Sequence, residues 1–182
     1  MKEFLDIVDE KGQPTGEIVD RETAHAKGIL HRTSHVWIAR RRDGKVQILL
    51  QKRAKHKSSF PGCYDISSAG HIPAGDSYEG SALRELEEEL GVSVKAEELI
   101  FCGDRKVVWD DVFFGKAFHD RQISRVFLLW LDREEAAFTV QESEVDSVRW
   151  MDFDACYTGV QKDLFENCIV LEELDMVRKA FL

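Results

Sequence analysis

The chain has 182 residues, 43% of them hydrophobic and 32% charged, with three prolines and a formal net charge of −9. That length suits one domain, 1–182, with a sizeable core, and the acidic balance excludes a stoichiometric duplex-DNA or anionic-membrane binder, which would gather Lys and Arg. No apolar run approaches the roughly 18 residues of a membrane span, the start has no apolar stretch of signal-peptide length, and Cys63, Cys102, Cys156 and Cys168 form no C-x-x-C pair; the expected setting is cytoplasmic, with reduced, mostly buried thiols.

Phe4 to Val8 and Glu17 to Val19 flank a Lys11-Gly12-Gln13-Pro14-Thr15-Gly16 turn and read as a hairpin or extended arm within residues 1–30. Arg21 to Lys27 is a short helical piece closed by Gly28. His31 to Arg40 alternates as a strand, with Val36 and Ile38 on one side, and Asp43-Gly44 turns it into a second strand, Val46 to Arg53. Ala54 to Gly62 is a basic loop in an otherwise acidic chain. Its reading is divided between a solvated loop and a phosphate contact by Arg53 or Lys52, the bidentate chemistry of Arg favouring the second. Tyr64 to Ala69 is then a short strand that delivers Gly70.

The stretch Gly70–Val92 concentrates the chemistry. From Ser77 to Leu90 the residues Leu83, Leu86 and Leu90 recur at helical spacing and mark a buried face, while Glu85, Glu88 and Glu89 at i, i+3 and i+4 turn away from it. Asp76 followed by Glu79 reads as a capping box, and Gly91 supplies the left-handed residue that ends a helix. In front, Gly70, Pro73 and Gly75 form a loop whose backbone can approach a ligand. On an exposed face three glutamates are only solvated charge. Converging in a cleft, they repel by roughly 4 kcal/mol per pair at about 4 Å and an effective dielectric of 20, which a divalent cation relieves.

Downstream, Ser93 to Cys102 and Lys106 to Trp109 read as strands, and Asp110 to Asp120 as a mobile loop over the site. Ile123 to Leu131 is the most apolar run and reads as a buried strand. Glu142 and Glu144 precede another strand, Ser147 to Met151. Leu164, Ile169, Leu171, Leu174, Val177 and Phe181 mark a long C-terminal helix within 156–182. Trp37, Phe60, Tyr64, Trp109 and Phe118 are read first as packing residues and second as stacking partners for a base. Strands interleaved with helices make the class α/β, a mixed sheet between helices, with the core over 31–155.

The order Gly70, Asp76, Arg84, Glu85, Leu86, Glu88, Glu89, Gly91, Val92 resembles the Nudix box, with every spacing met and Asp76 standing where the family usually has glutamate. The resemblance covers about Val36 to Phe153. It implies an α/β/α sandwich with an N-terminal extension, and an enzyme that hydrolyses a diphosphate bond in a nucleoside diphosphate derivative or related compound. Mg²⁺ or Mn²⁺ is the implied cofactor, matching hard carboxylate oxygens. Carried over residue by residue, Glu85, Glu88, Glu89 and the Gly70 carbonyl would hold metal and Arg84 would orient Glu85. The base would be Glu88 or Glu89, with Glu142 or Glu144 as outside candidates. The expected partner is a small diphosphate compound, with neither nucleic acid nor membrane, and the arm is compatible with a homodimer.

His25, the Leu30-His31 pair running on to Trp37, and Ala69-Gly70-His71 also look like isopentenyl-diphosphate isomerase, a Nudix-fold enzyme that protonates an alkene. In that enzyme a cysteine precedes the Gly-His pair and a glutamate acts from a later strand; here those positions hold Ala69 and Gln122. Alanine cannot donate a proton, so isomerase activity is the disfavoured alternative, alongside a non-catalytic nucleotide-binding module. His25, His31 and His71 are candidates for a further metal site, histidine being a common ligand.

Overall fold

The computed structural model describes residues 2–182. The arm is a hairpin of β1 (Phe4–Val8) and β2 (Pro14–Asp20), antiparallel and separate from the main sheet. The Asp9 carboxylate closes its turn by accepting from the Lys11 and Gln13 amides. β2 therefore starts at Pro14, three residues earlier than its apolar content indicates. Asp20 then caps α1 (Arg21–Lys27) by accepting from the Thr23 amide, and Gly28, left-handed at φ 65°, ends it. The arm is pinned by one buried carboxylate: Asp6 Oδ2 accepts from Arg32 at 2.8 Å and from the Gly75 amide at 2.9 Å.

β3 (His31–Arg42) is the axis of the seven-stranded sheet. It turns at Asp43-Gly44 into β4 (Lys45–Arg53), yet the two strands pair only over Ala39–Arg42 and Lys45–Ile48. Beyond that they splay, and the stretch expected as one strand divides to serve both. β5 (Tyr64–Asp65) pairs with β4, while β6 (Ser68–His71) pairs with β3. The residue between them makes this possible: Ser67 Oγ donates to the Leu49 carbonyl at 2.6 Å and accepts from the Ile38 amide at 2.7 Å, satisfying backbone groups on both strands.

α2 (Tyr78–Leu90) begins on Ser77, whose Oγ accepts from the Gly80 amide, rather than on the expected Asp76–Glu79 capping box. Asp76 is engaged elsewhere, its carboxylate facing Arg84 at 3.6 Å and its carbonyl accepting from Arg32 at 3.0 Å. Gly91 ends the helix at φ 63°, as its position requires.

The next segment departs most from the sequence reading. Residues 93–99 are a loop with a short 3₁₀ turn at Ala96–Glu98, after which β7 (Ile100–Phe113) and β8 (Lys116–Trp130) form one long hairpin. Lys106–Trp109 lies within β7, and Asp110–Asp120, expected as a mobile loop, is the hairpin's tip. Phe114 and Gly115, both at positive φ, make a two-residue turn whose twist suits paired strands. β8 lies parallel to β3 on its other side. β9 (Val145–Asp152) covers β4.

The expected long C-terminal helix is two short ones, α3 (Phe153–Gln161) and α4 (Leu171–Lys179). Between them Asp163 takes a positive φ, and the chain runs along β5, where the Tyr64 amide donates to the Glu166 carbonyl and the Cys168 amide to the Tyr64 carbonyl. Leu164 is exposed there, and Ile169 packs as a loop residue.

β-strand alternation sends Val36 and Ile38 to one face with Ile72, Leu86 and Leu90, and Trp37 and Ala39 to the other with Phe153, Leu174 and Val177. The result is a mixed sheet between α2 on one side and α3 and α4 on the other. All four cysteines are free; Cys156 is buried, whereas Cys63, Cys102 and Cys168 are only half-buried. No helix among the described residues is long and apolar enough to cross a membrane. Leu86 is fully buried, so Leu86→Ala should lower unfolding stability by about 2–5 kcal/mol in a urea titration. Glu87→Ala on the exposed side should stay within about 0.5 kcal/mol.

Candidate active site

Where β3 and β4 splay, a cleft of ≈ 2080 Å³ opens. Its lining passes from the carboxylates of α2, past Gly70, to Ala69, His35 and Glu173 on the α4 side of the sheet. α2 holds Glu85 against β6 so closely that a Cβ built on Gly70 would lie 2.4 Å from Glu85 Oε1. Arg84 fastens this contact: its Nη2 donates to Glu85 Oε1 at 2.8 Å and to the His71 carbonyl at 3.3 Å. Glu89, 6% exposed, accepts from Ser68 Oγ at 2.8 Å. Burial pushes its carboxyl up to about 8, against the pull of that hydrogen bond. Burial raises Glu85 as well, with Arg84 opposing. Glu88 is exposed at the cleft wall.

Three carboxylates with one arginine among them are an oxygen-donor set that suits a hard divalent cation, and half-buried Glu85 and buried Glu89 have their charged forms destabilised until a cation arrives. The donor set therefore fits Mg²⁺ or Mn²⁺. Of the outlying candidates, Glu144 lines the cleft with its carboxylate bonded to Lys57. Glu142 is exposed and outside the lining, as is Asp76. Arg53 reaches the cleft, but its guanidinium is engaged by Asp65 at 2.9 Å and by Ser59. Lys52 does not line the cleft; its ammonium lies 5.9 Å from the Tyr64 ring centroid.

His25 from α1, His31 from β3 and His71 from β6 meet with one ligand atom each, all within 4.8 Å of one another. Nδ1 of His25 faces the Arg21 carbonyl at 2.9 Å and Nδ1 of His31 the Ile29 carbonyl at 2.8 Å. Carbonyls only accept, so Nδ1 of each ring carries the proton and the Nε2 lone pairs point inward. His31 Nε2 is buried without a partner. Burial lowers His31 to about 4 and also lowers His25 and His71, keeping the rings neutral. Asp120 Oδ1 stands 3.7 Å from His25 Nε2, its carboxyl pushed up to about 6 by burial.

Of the aromatic residues, Trp37 is buried and donates to Glu173, and Tyr64 packs on Phe165. Phe60, Trp109 and Phe118 line the cleft, with Phe118 stacked on His25 at 4.4 Å between centroids. Sequence reasoning missed Ser68, Asp120, His35 and Glu173. Only Glu173 carried a signal, as a carboxylate standing four and eight residues before Val177 and Phe181 in the C-terminal apolar stripe.

A family model described as the NUDIX domain matches residues 30–167. An uncharacterized Nudix hydrolase of Clostridium acetobutylicum is 38% identical over 144 residues, covering 79% of this chain and 67% of that protein. Nudix hydrolase 3 of Arabidopsis thaliana is 40% identical over 166 residues, covering 89% of this chain but 21% of the longer plant protein. Among solved structures, one from Deinococcus radiodurans covers 99% of this chain and 100% of its own at TM-score 0.68 and 19% identity. The NUDIX domain of Shewanella oneidensis NrtR, complexed with ADP ribose, covers 83% and 88% at TM-score 0.60 and 16% identity. At those identities the structures speak for the fold, while the domain match and the sequence relatives speak for descent: this chain belongs to the Nudix hydrolase family.

Proposed function

We propose that the protein hydrolyses a diphosphate bond in a nucleoside diphosphate derivative or related small compound, with Mg²⁺ or Mn²⁺. The observation that carries this reading is that Glu85, Glu88 and Glu89 line one cleft together with Gly70, Glu85 packing on Gly70 and accepting from Arg84. Glu85, Glu88, Glu89 and the Gly70 carbonyl would hold the metal. When bound, the ion supplies charge neutralisation at the phosphoryl oxygens and a more acidic water. Arg84 holds Glu85 at its place against β6. Glu88 or Glu89 takes the proton from the attacking water: Glu88 is the accessible one, and Glu89 is steadied by Ser68. Lys57, beside Glu144 on the cleft wall, is better placed than Lys52 to meet a phosphate.

Alkene protonation is the poorer reading, because Ala69 offers no acid and the Gln122 amide is tied to Asp120 at 2.5 Å.

The orphaned Nε2 of His31 favours a second reading of the same cleft. His25, His31 and His71 would hold a separate ion with Asp120 alongside, and imidazole nitrogens suit a transition metal better than Mg²⁺. Its contribution would be a positive charge fixed about the cleft's inner wall.

Glu88→Gln and Glu89→Gln should each cut metal-dependent release of phosphate or pyrophosphate at least about 100-fold with an unchanged far-ultraviolet spectrum; normal turnover in both would refute the assignment. Gly70→Ala should do the same by displacing Glu85, and wild-type activity there would mean that the contact is dispensable. For the histidines, dialysis against Co²⁺ or Zn²⁺ should leave one tightly held equivalent that His71→Ala loses and Glu88→Gln keeps. Equal metal content in both variants would remove the histidine site.

A further inference from the structure

On the α4 side of the cleft a helix carboxylate is turned inward. Glu173 is 2% exposed and accepts from three donors on two strands: His35 Nδ1 at 2.8 Å, Trp37 Nε1 at 3.1 Å and Arg105 Nη1 at 3.0 Å. A buried ion pair brings little net stability over apolar packing, and apolar packing surrounds this one, with Leu174 and Val177 wholly buried on the same helix. What the cluster achieves is the fixing of one ring. With Nδ1 donating to Glu173, the other nitrogen of His35 is free to face elsewhere. Burial disfavours the charged ring, but the Glu173 carboxylate outweighs it and raises the His35 pKa, while His35 and Arg105 hold the Glu173 carboxyl below its ordinary range despite burial.

The second nitrogen is underused. His35 Nε2 has one protein neighbour, Thr33 Oγ1 at 3.4 Å, and that oxygen is already bonded to Ser124 at 2.8 Å and Gln122 at 3.1 Å. The His35 side chain is 16% exposed and opens on the cleft. It stands opposite Ala69 in the β3–β6 register, where a methyl takes little room, one residue before Gly70. A charge-assisted N–H on a ring that lines a cleft matches an anionic oxygen better than a neutral one.

We propose that His35 is a substrate-contacting residue whose Nε2–H donates to a phosphoryl oxygen of the bound compound, with Glu173 as its positioning residue. The inference rests on the hydrolase reading for its choice of ligand. His35 thus serves the opposite face of the sheet from the carboxylates of α2, so that the substrate bridges the two across Gly70.

The test uses His35→Asn, whose amide nitrogen can replace Nδ1 toward Glu173 but puts nothing at Nε2, and His35→Gln, whose longer amide reaches into the cleft. The probe is methylenediphosphonate, an uncleavable diphosphate, titrated calorimetrically into the full chain with Mg²⁺. His35→Asn should melt within a few degrees of wild type and bind at least about tenfold more weakly, as loss of a charged hydrogen bond implies, with His35→Gln recovering part of the loss. In turnover assays the defect should fall on KM rather than kcat. Should His35→Asn fail to fold, the imidazole ¹⁵Nε2 resonance of His35 in the wild-type chain must move on addition of the probe. Wild-type affinity and KM in folded His35→Asn, an unmoved resonance, or no binding by the wild-type chain would overturn the proposal. A chain that binds the probe through His35 yet cleaves no diphosphate compound would overturn the hydrolase reading alone; loss of turnover in Glu88→Gln with normal His35→Asn would do the reverse.

Discussion

Glu85 occupies the place where a side chain on residue 70 would have to be. This one exclusion fixes how deeply α2 sits against β6, and the rest of the site follows from that depth. A helix held there brings Glu89 within reach of Ser68 and puts Arg84 against the His71 carbonyl. A Cβ at residue 70 would push Glu85 and its helix outward, away from β6. The apolar face supplies the force behind the approach, since Leu86 and Leu90 are buried against Val36, Ile38 and Ile72.

The cleft exists because β3 and β4 part after Ile48 and residues 64–71 fill the gap from two directions. Parting strands strand their backbone groups, and Ser67 satisfies one on each side. The gap lets side chains from both faces of the sheet border one space. On one face lie carboxylates whose burial works against their charge; on the other lie neutral imidazoles and the His35–Glu173 pair. Such opposed environments give the two walls of one cleft different electrostatic character.

The N-terminal arm is part of this arrangement rather than an appendage. Asp6 joins it to Arg32 on β3 and to the Gly75 amide in the loop before α2, so the arm braces the box from outside the box. α1 then delivers His25 to His31 and His71, three residues that only meet because the arm folds back. The β7–β8 hairpin closes the same wall with Trp109 and Phe118.

The helix of the box was legible in the sequence because its signals are local: leucines at helical spacing, a glycine stop at Gly91, and carboxylates on the opposite arc. The hairpin turn at Asp43-Gly44 and the α/β class were legible for the same reason. The chain failed to announce features decided at a distance. Ser77 caps α2 because Arg84 and Arg32 draw Asp76 away. The tip at Asp110–Asp120 is strand because its residues pair across Phe114-Gly115. Of the C-terminal apolar residues only Leu171, Leu174 and Val177 are helical, because the stretch holding Leu164 and Ile169 finds hydrogen bonds on β5 instead. Glu89 stood out in the sequence as a carboxylate of the box and Glu173 as a glutamate within an apolar stripe, but only tertiary packing buried them beside Ser68 and His35, since burial and partner, not residue type, set what a carboxylate can do.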